Sequence, residues 1–344
     1  MQNKIINIEL SEREKEIFES IVNLYISKAS PVGSKYLADY LEGKLKLSSA
    51  TIRNVMKELE EMELINQPHT SAGRIPTDKG YRYYIDSLIE IEDLSEADIR
   101  TVHEALLGTP PDVLQDASRI LGFLSRYLSL VEIPNLKELK VEKIEIVSLT
   151  SRRFLIVIAL DSNNVKTVTL ESELEIDTGR ISDIVSYINE KVSGRPLRFI
   201  RENFNEIIEE SDLREQPLVR LFMESTEEIF SFRPGSEKIL LAGTKNLLDY
   251  PEFDDTEQLR NVIGIIEDKD TIINLLKSME ESDENLKVFI GSEMQQKNLE
   301  DYSFVISTYR MGQAVGSIGL IGPKRMYYSK VISLLKHVSQ ELSS

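Results

Sequence analysis

A short segment, LSSATIRNVMKEL at residues 47–59, combines the side chains that contact DNA with the spacing of one helical face. Its apolar residues recur at i, i+3, i+4 and i+7, at Ile52, Val55, Met56 and Leu59. The opposite face carries hydroxyl, amide and cationic groups, at Ser49, Thr51, Arg53, Asn54 and Lys57. A helix that enters the major groove needs this arrangement, because its first turns meet base edges and phosphates. The segment therefore predicts a DNA recognition helix.

Ser48 precedes this helix and has two possible roles. Its hydroxyl is typical of an N-cap, which accepts a backbone N–H, and the same hydroxyl is equally suited to a phosphate contact. Arg53 and Lys57 also have an alternative role, since cations often do no more than solvate a helix face.

The flanking sequence predicts the elements that would position this helix. Ser11 and Glu14 form a capping box that opens a helix to about residue 27, and a second helix is expected at 34–41. A strand at 63–68, a loop at 69–74 and a return strand from 75 predict a wing, followed by a helix at 81–89. An ordinary surface helix shares the apolar stripe, but this order of elements favours a winged helix-turn-helix. Its wing offers further DNA contacts, at His69, Thr70, Ser71 and Arg74; for His69 a solvated loop position is the alternative.

Charge supports DNA binding only locally. The chain has a formal net charge of −17, whereas residues 1–90 hold 12 basic and 14 acidic side chains. Phosphate neutralisation supplies most non-specific affinity. We therefore expect weak binding to random DNA and reliance on specific contacts made by two modules on one site.

Little in the sequence indicates catalysis. Cysteine is absent, which excludes disulfides, a thiolate nucleophile and cysteine-ligated zinc, and fits a reducing compartment. The three histidines, His69, His103 and His337, are scattered and lack partners at i+4. No phosphate-binding loop motif is present, and no apolar run is long enough for a signal peptide or a membrane span. We expect a cytoplasmic protein that is not an enzyme and that holds no cofactor or metal.

The rest of the chain predicts an α+β, multidomain architecture. A helix is expected from Asp112 to Leu130, strands at 141–147, 154–160 and 165–170, and helices from 177 to 232. Strands return at 239–241, 286–291, 304–309 and 315–322, before a final helix at 327–342. Strands that reappear after a helical region indicate one α/β domain with an insertion.

Several long motifs resemble the heat-inducible transcription repressor HrcA family of bacteria. They are SSATIRN at 48–54, HTSAGRIPTDKGYRYY at 69–84, LAGTKNLL at 241–248 and GLIGPKRMYYS at 319–329. The resemblance implies a homodimer with three domains: a winged helix-turn-helix at 1–90, a GAF-like domain at 91–172 and 236–344, and a dimerising insert at 173–235. The strands at 141–170 are alternatively part of the insert.

The same resemblance implies the biological role. Members of the family bind an inverted-repeat operator, called CIRCE, upstream of chaperone operons, and the GroEL chaperonin maintains their active form. Independently, one winged helix covers only a half-site, so a two-fold symmetric dimer is expected to read a palindrome. The apolar helices after Asp177 are a candidate dimer surface, with an internal core as the alternative. A competing hypothesis is a repressor whose GAF-like domain senses a small effector.

Overall fold

The computed structural model describes most of the chain. The described residues are 8–69, 72–107, 112–134, 139–161, 165–176, 178–208, 215–230, 239–247, 249–253, 264, 272, 276, 285–312 and 314–344. Within this part of the chain, no helix has the length and apolar character that a membrane span needs.

The N-terminal residues form the predicted winged helix-turn-helix. Its elements are α1 (Glu12–Lys28), α2 (Ser34–Leu41), α3 (Ser49–Glu61), β1 (Ile65–Asn66), β2 (Ile75–Pro76) and α4 (Asp78–Ser87). The capping box is confirmed, because Ser11 accepts from the Glu14 N–H while the Glu14 carboxylate accepts from the Ser11 N–H. The strands β1 and β2 pair antiparallel as the two sides of the wing.

A five-stranded antiparallel sheet forms the centre of the C-terminal part. Its strands are β3 (Leu128–Glu132), β7 (Ile239–Ala242), β8 (Leu286–Ile290), β9 (Tyr302–Met311) and β10 (Ala314–Pro323), in the order β7-β3-β10-β9-β8. Three mutually packed helices accompany it, two of which lie against the strands: α5 (Glu96–Ala105), α6 (Asp112–Ser125) and α12 (Tyr328–Ser343). The helix predicted to reach Leu130 instead ends at Ser125, because Arg126 adopts φ 64° and the following residues form a central strand.

The strands between residues 141 and 171 form a separate three-stranded sheet. They are β4 (Val141–Ser148), β5 (Arg153–Leu160) and β6 (Val165–Glu171), joined antiparallel in that order. Four helices follow: α7 (Ile181–Val192), α8 (Leu197–Ile208), α9 (Pro217–Glu224) and α10 (Thr226–Phe230), with the short helix α11 (Thr244–Leu247) after β7.

This second sheet is bonded to the helices that follow it. The Asn189 side chain on α7 accepts from the Ile144 N–H at 2.6 Å and donates to the Ile144 carbonyl at 2.8 Å. Lys166 donates to the carbonyls of Glu228 and Ile229 at the end of α10. The chain leaves the larger sheet after β3 and returns on its neighbour β7.

Candidate DNA-binding surface

The predicted recognition helix is α3, and its start is fixed by hydroxyl groups. The Ser48 hydroxyl accepts from the Thr51 N–H at 3.1 Å and also lies 2.9 Å from the Thr51 hydroxyl. Ser48 is therefore the N-cap, a role that is worth about 1 kcal/mol of helix stability. Its hydroxyl is engaged within the helix, although a hydroxyl oxygen retains capacity for a further bond.

The two faces of α3 divide as the sequence predicts. The apolar residues at 52, 55, 56 and 59 are buried, and they pack in the core with side chains of α1 and α2 such as Ile21 and Leu41. Arg53, Asn54 and Lys57 are exposed, whereas Ser49 and Thr51 are half-buried. The first turn of α3 contains no acidic side chain. The exposed face therefore presents donors that suit phosphates and base edges.

The wing is fixed against the turn that precedes α2. Val32 and Arg74 exchange two backbone hydrogen bonds of 2.9 Å. A side chain at Gly73 would place its Cβ 2.4 Å from the Val32 carbonyl carbon, so only glycine permits this approach. The wing therefore has a defined position beside α2.

The predicted wing residues differ in their surroundings. His69 is exposed, while Thr70 and Ser71 lie outside the described residues. The Arg74 guanidinium binds the Glu60 carboxylate on α3, with Nε and Nη2 at 3.1 and 2.9 Å from Oε2. Arg74 thus joins the wing to the recognition helix, and its charge is shared with Glu60.

One cation near this surface was not singled out from the sequence. Lys35 is exposed in the first turn of α2, whose N-cap Gly33 has no side-chain cap bond. Uncapped N–H groups at a helix N-terminus attract phosphate. A lysine two residues after a glycine that starts a helix was the only sequence signal available. Lys28 is engaged elsewhere, because its ammonium lies 4.0 Å from the centre of the Tyr36 ring.

Two family models match the chain and together cover most of it. The model described as "Winged helix-turn-helix transcription repressor, HrcA DNA-binding" matches residues 9–88, and "HrcA protein C terminal domain" matches residues 111–332. This chain belongs to the HrcA family. Residues 9–88 include every candidate contact described above, so the winged helix is the DNA-binding domain of an HrcA-type repressor.

Curated relatives agree along nearly the whole chain. A protein of Chlorobium chlorochromatii (strain CaD3), named "Heat-inducible transcription repressor HrcA", is 37% identical over 98% of this chain and 97% of its own length. A protein of the same name from Chlorobium phaeobacteroides (strain BS1) is 35% identical over 97% of this chain and 98% of its own. These HrcA relatives are named as transcription repressors, and none of these names describes an enzyme.

One solved structure shares the fold at full length. It carries the description "Crystal structure of a hypothetical protein at 2.2 A resolution" and superposes with a TM-score of 0.72 at 28% identity, covering 97% of this chain and 98% of the other. The overall fold of this chain therefore also occurs in a crystallised protein.

Proposed function

We propose that this protein represses chaperone operons in the cytoplasm by binding a CIRCE-type inverted repeat as a homodimer. The observation that carries the proposal is the acid-free first turn of α3 and its exposed polar residues, in an HrcA-type DNA-binding domain. The resemblance to the family supports the operator and the regulated genes.

The proposed DNA surface combines α3 with the wing and the start of α2. Base edges and phosphates are read by donors on α3 and by the loop of the wing, with Lys35 adding a phosphate contact: Ser48, Ser49, Thr51, Arg53, Asn54, Lys57, His69, Thr70 and Ser71. Arg74 contributes by holding the wing on Glu60. In helix-turn-helix proteins the recognition helix lies in the major groove and its N-terminal residues contact the base edges. The polar residues near the start of α3 fit that geometry.

We assign the dimer contact to the outer face of the three-stranded sheet. On β5, Leu155 and Val157 alternate with buried residues and are half-buried. Their neighbours across the strands include Val147, which is 46% exposed, together with Thr167 and Thr169. Antiparallel sheets commonly keep one solvated face, but apolar side chains grouped at the centre of such a face are typical of an interaction surface. A second copy would supply one by two-fold symmetry.

Sedimentation can distinguish this face from the helical face of the insert. Leu155→Lys places a charge on the sheet and should give monomers at micromolar concentration. Ser186→Lys places the same charge at an exposed site on α7 and should leave the dimer intact. Monomers from Ser186→Lys and dimers from Leu155→Lys would assign the contact to the helices instead.

The path of the chain between the two sheets supports a domain division. We propose a winged helix-turn-helix domain, a GAF-like domain built on the five-stranded sheet, and a dimerising insert formed by residues 139–230. The insert so defined includes the strands at 141–171, because they bond to α7 and α10 and not to the larger sheet.

Chaperonin dependence tests the heat-shock part of the proposal. Binding to a CIRCE duplex and to a scrambled duplex is measured with and without GroEL, before and after mild heating. We expect selective binding that GroEL preserves, since heat lowers the folded fraction of a marginally stable repressor. Reversible loss of binding with an intact fold, indifferent to GroEL, would contradict that role.

A second candidate function is repression controlled by a small effector. A cavity of about 340 Å³ lies in the GAF-like part, beside the stacked rings of Tyr127 and Tyr250, whose centres are 5.5 Å apart. Its volume is within the range of small-molecule sites. An effector that binds the native state raises the melting temperature, and the rise increases with the logarithm of its concentration above its dissociation constant. A thermal-shift screen in which no compound raises it would remove this candidate.

A further inference from the structure

The DNA-binding domain is fastened to the C-terminal part by three groups of polar contacts. The first is centred on Asp78 in the first turn of α4. Its carboxylate accepts from Lys324 Nζ at 2.7 Å and from the N–H and hydroxyl of Ser292, both at 3.0 Å. Gly291 adopts φ 48°, and a Cβ there would lie 2.4 Å from the Asp78 carboxylate. The backbone at Gly291 therefore lies against the Asp78 carboxylate at a distance that leaves no room for a side chain.

The second group is centred on Arg82, one turn further along α4. Its guanidinium makes a bidentate pair with Glu293, at 2.9 and 2.6 Å, and donates to the Val288 carbonyl at 2.5 Å. Arg82 is 8% exposed, so these bonds form in a largely dehydrated contact, where planar bidentate pairing is strongest. The Glu293 carboxylate also accepts from the Ile290 N–H, which fixes it on the end of β8.

The third group is centred on Arg325, directly after β10. Arg325 donates to the Ile26 carbonyl of α1 at 3.2 Å and pairs with Glu252. Beside it, the rings of Tyr81 and Tyr328 pack with centres 6.0 Å apart, one ring from each domain. The Tyr328 hydroxyl donates to the Lys324 carbonyl at 2.6 Å, so the segment that carries Lys324 and Arg325 is itself held in place.

The connection between the domains is fixed as well. After α4 the chain runs along α12, where Ser329 accepts from the Glu92 N–H at 2.8 Å and donates to the Glu90 carbonyl at 3.0 Å. Ser333 donates to the Glu92 carbonyl. The linker therefore adds to the rigidity of the junction.

We propose that Lys324, Glu293 and Arg325 are positioning residues that set which half-site spacing the repressor accepts. The inference rests on the proposed function, in which two DNA-binding domains of a dimer read an inverted repeat. None of the three residues lies on the DNA-binding surface. They act by fixing the angle at which each α3 projects from the dimer.

The rigidity of the junction determines how strongly the dimer discriminates between half-site spacings, because flexible DNA-binding domains lose conformational freedom when they bind. Two DNA-binding domains (the heads of the dimer) that are held at a fixed separation bind a matched repeat without further loss of conformational freedom. A mismatched repeat binds only if the protein or the DNA is distorted. DNA-binding domains on flexible connections reach half-sites at many spacings, but the affinity gained from binding both half-sites at once is smaller. Half-sites rotate around the DNA axis with a period of about 10–10.5 base pairs, so an insertion of about five base pairs moves them to opposite faces.

The test uses variants that remove both partners of an ion pair, so that no buried charge is left alone. Asp78→Ala/Lys324→Ala opens the first group of contacts, and Asp116→Ala/Arg119→Ala removes an exposed pair within α6 as the matched control. Affinity is measured for inverted repeats with the natural spacing and with about five and about ten added base pairs. Circular dichroism and sedimentation confirm that each variant is a folded dimer.

We expect the wild type and the α6 control to lose at least about tenfold in affinity on the insertion of half a turn, and the Asp78/Lys324 variant less than about threefold. That variant should also bind the natural spacing more weakly. An unchanged spacing profile would overturn the inference. Tighter binding at the natural spacing would overturn it too, because the contacts would then hold the heads away from DNA.

The wild-type result separates failure of the inference from failure of the proposed function. If wild type does not select the inverted repeat at any spacing, the proposed function is wrong. If the alanine variant does not fold, Asp78→Asn/Lys324→Gln removes the charges while retaining side-chain size, with the same expectations. Because the chain contains no cysteine, a spin label at Glu58→Cys reports the distance between the heads without DNA. The distance distribution should broaden in the variant, and an unchanged distribution counts against the inference.

Discussion

Arg74 offers a direct test of whether a wing cation contacts DNA or positions the wing. The structure places its guanidinium on Glu60, with both side chains partly exposed, at 21% and 35%. Ion pairs of this kind contribute about 0.2–1 kcal/mol, because water screens the attraction and two long side chains lose freedom. The backbone bonds between Val32 and Arg74 do not depend on the guanidinium. When the pair is removed, the wing should therefore stay bonded to the turn before α2 and lose only the small contribution that the pair makes to its position on α3.

We expect Arg74→Met to weaken operator binding by no more than about 1 kcal/mol, or about fivefold. Glu60→Gln should have a similar effect, because either change removes the same pair. The assay is the dependence of log Kd on log salt. Each lost phosphate contact lowers that slope by about 0.9, so Arg74→Met should leave the slope unchanged.

Lys57→Met is the comparison variant, since Lys57 is 76% exposed on α3 and its 3.5 Å ion pair with Glu61 is at the solvent surface, where such pairs are weak. It should reduce the slope by about 0.9. The opposite result is that Arg74→Met lowers the slope by a similar amount while Glu60→Gln leaves binding intact. Arg74 would then be a phosphate contact in its own right.

Three further predictions concern stability. The buried Tyr81 hydroxyl has no hydrogen-bond partner among the residues that the structure describes, and burial raises its pKa well above the ordinary value. Calorimetry should show that Tyr81→Phe leaves the free energy of unfolding unchanged or raises it. Tyr328→Phe loses two hydrogen-bonding contacts and should lower the free energy of unfolding by about 1–3 kcal/mol. Gly80→Ala would place its Cβ 2.0 Å from the Leu64 carbonyl oxygen, just before β1, and should destabilise by about 1–3 kcal/mol. Gly33→Ala, whose Cβ meets nothing within 4 Å among the described residues, should cost less, because only the weaker preference of alanine for an N-cap opposes it. Burial raises the pKa of Asp78, but hydrogen bonds from the neighbouring domain outweigh burial and hold the pKa below its ordinary value. Its contribution should be complete above about pH 4 and lost as pH falls through the lowered pKa, so Asp78→Asn should flatten the stability profile below pH 4, and an unchanged acid profile would contradict this.

The local parts of the fold could be predicted from the sequence. The capping box at Ser11 and the apolar stripe of α3 are local patterns, from Ser11 to Glu14 and from Ile52 to Leu59, and both are confirmed. The predicted end of α6, at Leu130, was wrong, because nothing in the local sequence indicates the left-handed conformation of Arg126. The residues of β3 extend the helical period of α6, and only neighbouring strands from distant parts of the chain make them a central strand.

The contacts between domains could not be predicted. Arg82 and Glu293 are 211 residues apart, so no periodicity relates them. The motifs that contain Asp78, Arg82, Lys324 and Arg325 were recognised as family features, yet their spacing gives no indication that they meet. The pairing of Arg74 with Glu60 was missed for a similar reason, since it depends on where the wing folds back against α3.

The central claim is that α3 reads the operator, and one measurement tests it most directly. Affinity for a CIRCE duplex and for a random duplex is determined for wild type, Arg53→Ala, Asn54→Ala and the exposed control Glu58→Ala. Wild type and Glu58→Ala should prefer the operator by about 10³-fold or more. Arg53→Ala and Asn54→Ala should each lose roughly 1–3 kcal/mol on the operator and much less on random DNA. Full operator affinity in both variants would contradict the assignment of α3 as the recognition helix.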